Sequence, residues 1–265
     1  MATADAPGRI EVEPDGFITI VTIANEPRAN SLDDGMLASL ASALSAEALG
    51  DARAVVLTGA GDRNFSGGVD LQARDGEALT QAVRSGERLL GRAAAAVEGC
   101  PVPVIAALNG NAFGGALEIA MAADWRLAAR GARFGMPPAR LSWVYAAEGI
   151  QRFVRVAGAP ATRELFLTGR PIDAERARQI GIVNRVVDRL ELVDLAVADA
   201  LAVAGNGPIA VAGMRSVIRA IEDGAPSSEA AEIAERWRQR AFQSEDIAEG
   251  LAAFREKRDP EFTGR

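Results

Sequence analysis

A chain of 265 residues, 49% hydrophobic and 25% charged, has the composition of an ordinary folded globular protein and the length of one large domain. Its net charge of -7 argues against a general binder of nucleic acid or of anionic membrane. One cysteine and no histidine exclude an internal disulfide, a cysteine-rich or histidine metal site, and any catalysis that uses histidine as base.

The predicted elements begin with two strands, Ile10–Glu13 and Phe17–Ile23, which alternate in polarity around a Pro14-Asp-Gly16 turn. Ser31 followed by Asp33 and Asp34 reads as a helix start with Ser31 as cap, and Leu37, Leu40 and Leu44 share one face of that helix. Arg53–Thr58 reads as a buried strand ended by Gly59-Ala-Gly61, and Phe65–Leu71 as a loop. A helical pattern covers residues 78–98 and a buried strand 101–108. After a short strand at Trp125–Ala129, Asp173 caps a short helix that stops at Gly181, and Ile182–Val187 is the last strand. From Leu190 onward only helical patterns remain, near 190–203, 208–221, 227–242 and 244–257. The division expected is an α/β core over 1–200 and a helical C-terminal region over 201–265. No basic segment followed by an apolar core opens the chain, and charged or polar residues interrupt every apolar run, so a cytoplasmic protein with no membrane span is expected.

One stretch carries chemistry. Asn109-Gly-Asn-Ala-Phe-Gly-Gly-Ala-Leu-Glu118 leads into Ile119-Ala-Met-Ala-Ala123, and between Asn111 and Asp124 the only charged residue is Glu118. A helix apolar nearly all round is a buried helix, where a carboxylate is costly unless paired or functional. Gly114 and Gly115 stand one turn earlier, where the free N–H groups of a helix start can receive an anion. A second glycine turn, Gly67-Gly-Val69, offers a partner. Two N–H groups aimed at one point make an oxyanion hole, each donor worth about 3 kcal/mol in a transition state. Other motifs fail: Gly59-Ala-Gly61 lacks the third glycine of a dinucleotide fingerprint, and Asn64-Phe-Ser66-Gly-Gly68 lacks both the first glycine and the base of a nucleophile elbow.

Together these residues resemble the crotonase superfamily, the enoyl-CoA hydratase and isomerase group. The carrying segments are Asn25–Leu32, Val55–Asp62 with Phe65–Leu71, Asn109–Asp124, Leu167–Glu175, Gly181–Val187 and Glu249–Arg258. The resemblance implies an α/β fold, a crotonase-like spiral of ββα units followed by helices that build a homotrimer or a dimer of trimers. It implies an acyl-CoA thioester as substrate, coenzyme A being part of that substrate, with no separate cofactor and no metal. By position, the N–H groups of Val69 and Gly115 would hold the thioester oxygen. Arg28, Ala29, Ser66, Gly68, Asp70 and Leu71 would lie along CoA beside Gly114. Phe254 and Lys257 match residues that reach CoA from a neighbouring subunit.

Glu118 falls on the first hydratase glutamate, the one that activates water. Where the second belongs, this chain reads Gly135-Met-Pro-Pro138, and further on Tyr145-Ala-Ala-Glu-Gly-Ile150 brings in an unusual Glu148. Three readings stay open. In hydration, Glu118 is the base and Glu148, or water, supplies the second proton. In isomerisation, thioester hydrolysis or decarboxylation, the fold and the hole serve other chemistry. In an acyl-CoA-binding protein, little catalysis remains. For Glu148 the alternative is a first-turn helix acid facing solvent. Trp143, Val144, Tyr145 and Leu79 are candidates to line the acyl chain.

Overall fold

A computed structural model describes residues 7–70 and 77–265, with side chains from 85 onward in the second stretch. Leu71 lies outside the described residues, and so does the side chain of Leu79. The chain opens with the hairpin β1 (Arg9–Asp15) and β2 (Ile18–Ala24), then a 3-10 turn at Glu26–Arg28, α1 (Asp34–Ala43) and α2 (Ala46–Leu49). Three strand pairs follow, each leading to a helix. They are β3 (Ala54–Gly59) and β4 (Asn64–Ser66) before α3 (Glu77–Glu98), then β5 (Val104–Leu108) and β6 (Asn111–Phe113) before α4 (Gly115–Ala122), then β7 (Trp125–Ala129) and β8 (Arg133–Gly135) before α5 (Ala147–Thr168). The rest is β9 (Ile172–Asp173), α6 (Ala174–Gln179), β10 (Arg185–Val187), α7 (Leu192–Ala204), α8 (Pro208–Glu222), α9 (Ser227–Gln243) and α10 (Glu245–Glu256).

The first strand of each pair enters a six-stranded sheet of order β1-β2-β3-β5-β7-β10, and the second enters a four-stranded sheet of order β4-β6-β8-β9. Among the described residues only β1–β2 and β8–β9 pair antiparallel. Each ββα unit therefore adds one strand to each sheet, as the resemblance implies. The second sheet was not visible in the sequence: its strands are two or three residues long, too short for a period of two to show. The segment read as a loop from Phe65 thus begins within β4, and β6 lies in the stretch after Asn109, to which no strand was assigned.

The central strands of the large sheet are buried on both faces. Val55, Leu57, Ala106 and Ala128 point into the main core with α1, α3 and α4. Ala54, Val56, Ile105, Ala107 and Leu127 point to the opposite face, where Leu192, Ala196, Ala200 and Ala204 of α7 cover them at a spacing of four. Small residues in that stripe let the helix lie close. Because α7 covers the sheet down to Ala204, the helices outside the sandwich start with α8. Among the described residues no single helix is long and apolar enough to cross a membrane.

The cap of α1 is Asp33 rather than Ser31: its carboxylate accepts the Met36 N–H at 2.8 Å. Leu32 holds the chain extended until then, through its bridge to Val69. Asp33→Ala is expected to lose about 1 kcal/mol of stability, read as a lower urea midpoint.

Candidate active site

Two buried asparagines hold the β3–β4 connection that leads to the site. Asn109, at the end of β5, accepts the Gly59 N–H and donates to the carbonyls of Gly59 and Gly61. Asn30 takes a left-handed conformation, φ 55°, and its amide donates to the carbonyls of Ala60 and Asn64. Ala29, also left-handed at φ 54°, accepts the Gly67 N–H at 2.8 Å. The buried Ser66 hydroxyl accepts the Gly68 N–H at 3.2 Å. Leu32 then pairs with the far end of the turn, donating to the Gly68 carbonyl and accepting from the Asp70 N–H, both at 2.9 Å. In that parallel bridge the flanking groups bind Leu32, so the N–H of Val69 itself points the other way.

The Gly67–Val69 turn lies against the start of α4. Gly68 has φ +102°, and a Cβ built on it would stand 2.7 Å from the Phe113 carbonyl oxygen and 3.7 Å from the Gly115 nitrogen. A Cβ on Gly115 would stand 3.0 Å from Cγ2 of Val69. The two glycine turns therefore sit side by side. The N–H of Gly115 is the first of its helix and has no intrahelical acceptor.

One turn along α4, Glu118 is 3% exposed and both its oxygens are engaged. The Tyr145 hydroxyl donates to Oε2 at 2.5 Å and the Arg152 guanidinium to Oε1 at 2.8 Å. Arg152 also donates to Glu98 at 2.8 Å, Glu98 accepts from Arg155, and Arg155 donates to Asp223 at 2.8 Å. A row of alternating charges thus runs from Glu118 to the end of α8. Burial raises the Glu118 carboxyl above the usual carboxylate range, against the Tyr145 hydrogen bond and the Arg152 charge, which pull it down. Burial and the Glu118 charge push the Tyr145 phenol well above its ordinary value, so it stays protonated at neutral pH.

These groups face a cavity of about 1850 Å³. Its described lining includes Gly68, Val69, Asp70, Gly114, Gly115, Glu118, Pro138, Tyr145, Glu148 and Arg152. Trp143 of the loop before α5 donates to Glu87 of α3 at 2.8 Å, tying two walls together. That volume is well above the several hundred Å³ of a common small-molecule pocket and suits a long ligand.

The remaining expected residues divide. Pro138 is buried at the start of a 3-10 turn and offers no proton. Glu148 is exposed in the first turn of α5, and its carboxylate is not part of the row of charges at Glu118. Arg28 pairs with Asp70 at 2.9 Å. Arg28, Ala29 and Ser66 are not in the described lining. Phe254 is 84% exposed and Lys257 ends α10 in a left-handed conformation, both apart from the cavity in a single chain. Arg152 was missed altogether. Nearly all of the 29 basic residues are arginine, so composition gives no means of choosing Glu118's partner.

A base works only when deprotonated, so any activity that uses Glu118 as base is expected to fall as pH drops through its raised pKa. Arg152→Gln removes a charge that lowers that pKa. The acid limb of kcat/KM is then expected to move to higher pH, and stability to fall by about 3 kcal/mol because Glu98 and Glu118 lose their shared cation. A pH–rate profile and a urea titration read the two effects.

Comparison with known proteins gives a consistent result. A family model described as enoyl-CoA hydratase/isomerase matches residues 14–265. YngF of Bacillus subtilis (strain 168) is 36% identical over 250 residues, covering 93% of this chain and 95% of that protein. The carnitinyl-CoA dehydratase of Salmonella enteritidis PT4 is 35% identical over 258 residues, covering 94% of this chain and 96% of that one. The crystal structure of an enoyl-CoA hydratase from Bacillus anthracis matches with a TM-score of 0.91 at 34% identity, covering 97% of this chain and 100% of that one.

Proposed function

The chain belongs to the enoyl-CoA hydratase/isomerase family, and from that premise we propose that it hydrates a 2-enoyl-CoA thioester, or runs the reverse dehydration. One observation carries this reading: the buried Glu118 carboxylate stands one helical turn from Gly115, which lies against the Gly68-Val69 turn, all on one cavity. The N–H groups of Val69 and Gly115 receive the thioester oxygen and hold the enolate that forms when water adds at C3. Glu118 takes the proton from that water. Gly68, Asp70 and Gly114, which line the cavity, shape the path of CoA, with no separate cofactor. The carnitinyl-CoA dehydratase among the relatives acts in the dehydration sense, which supports a lyase.

Phe254 and Lys257 contribute from a neighbouring subunit in a trimer or a pair of trimers. Met214, Ile218 and Ile221, exposed at a spacing of four and three on α8, are an apolar face suited to that assembly. Pro138 in place of a second acid favours a second reading, in which the same hole serves isomerisation or decarboxylation. Steady-state assays with 2-enoyl-CoA, 3-enoyl-CoA and malonyl-type thioesters separate them by product. Absence of any hydration across chain lengths would remove the first reading.

A further inference from the structure

Enolate chemistry needs a proton delivered to C2, and the residue that would ordinarily deliver it is Pro138 here. Of the described titratable side chains lining the cavity, two donate to Glu118: Arg152 and Tyr145. A guanidinium does not release its proton in a protein. The Tyr145 phenol does have a proton to give. Its ring is held edge-on by Phe166 at 5.6 Å between centroids, and its approach to Glu118 depends on the glycine at 149. A Cβ there would lie 2.5 Å from Tyr145 Cε1 and 3.0 Å from Glu118 Oε2, so a side chain at 149 would push the pair apart. Glu148, by contrast, is exposed.

We infer that the Tyr145 hydroxyl, rather than Glu148, is the acid that protonates C2 of the thioester enolate, and that Glu118 restores its proton across their hydrogen bond. This deepens the enolate reading and rests on it. In hydration, the water oxygen bonds to C3, its O–H bond breaks, and Glu118 takes that proton while the C2–C3 π pair moves into the enolate. Protonated Glu118 then becomes the donor to the phenol oxygen. The hydrogen bond inverts, the phenol O–H breaks, and its proton forms the new C2–H bond. Glu118 passes its own proton to the phenolate, and both residues end as they began. The charged and titratable groups around the phenol are Glu118 from α4, Glu87 from α3 and Arg152 from α5.

Tyr145 is the only tyrosine in the chain, so global replacement of tyrosine by mono-, di- and trifluorotyrosine alters this phenol alone. An acid must be protonated to act, so activity is lost as pH rises through its pKa, and each fluorine lowers that pKa. The alkaline limb of kcat/KM is expected to move to lower pH with each fluorine added. Tyr145→Phe, which keeps the ring contact with Phe166, is expected to lose about a hundredfold or more in kcat with little change in KM. An alkaline limb that ignores fluorination, or a Tyr145→Phe rate within a few fold of wild type, would overturn the assignment. Failure of the underlying reading has a different signature: wild-type protein that turns over no acyl-CoA thioester at all.

Discussion

Glu118→Gln is expected to lower kcat by about a thousandfold while leaving acyl-CoA binding within a few fold of wild type. Gln is nearly isosteric, and its carbonyl can still accept from Tyr145 or Arg152, each now 2.5–2.8 Å from a carboxylate oxygen. Arg152 keeps its second partner, Glu98, so no cation is stranded in the core. What disappears is the only group that can take a proton from water at this point of α4. Rate and affinity should therefore separate: single-turnover kinetics collapse and calorimetric binding of a saturated acyl-CoA persists. Loss of both together would mean that the substitution had collapsed the pocket, and an undiminished rate would remove Glu118 from the chemistry.

Gly68→Ala is expected to damage both the fold and the rate. The backbone there has φ +102°, where an L-residue is strained by about 1–3 kcal/mol, and the new Cβ would meet the Phe113 carbonyl oxygen at 2.7 Å. That oxygen belongs to the backbone just before α4 and cannot swing aside as a side chain could. Relief therefore requires the two glycine turns to part, which separates the N–H of Val69 from that of Gly115. Loss of one donor's alignment is expected to lower kcat by about a hundredfold. Gly16→Ala is the control. It sits in the β1–β2 turn at φ +58° with nothing within 4 Å of its Cβ, so it carries backbone strain without the clash. It should lower the urea midpoint and leave the rate alone.

How far the sequence disclosed this arrangement depended on the length of each signal. The long parallel strands were legible because five or six consecutive buried residues, such as Val104–Leu108, leave a run that few other structures explain. Glu118 was legible because it is one charge in an apolar helix, and the two glycine turns because resemblance tied them to it. Of α5 only a first turn was considered, as the alternative for Glu148. Its N-cap, Ala146, offers no side-chain cap, and the helix breaks at Gly158, φ 75°, just before Pro160. With the helix went Arg152, whose pairing with Glu118 spans 34 positions and leaves no local trace. Tyr145 was visible as the lone phenol in a chain without histidine, but its contact with Glu118 depends on Gly149, whose small size has meaning only once α4 and α5 are side by side.

That glycine also limits how this pocket can change over generations. Positions 118, 145 and 149 share one small volume, so a replacement at any one alters what the other two will accept. A larger residue at 149 is compatible only with a smaller one at 145. A relative with a carboxylate at position 138 would not need the phenol, nor with it the glycine. The three positions should therefore drift as a set, and homologues sorted by their residue at 149 should fall into groups that differ in how the second proton is delivered.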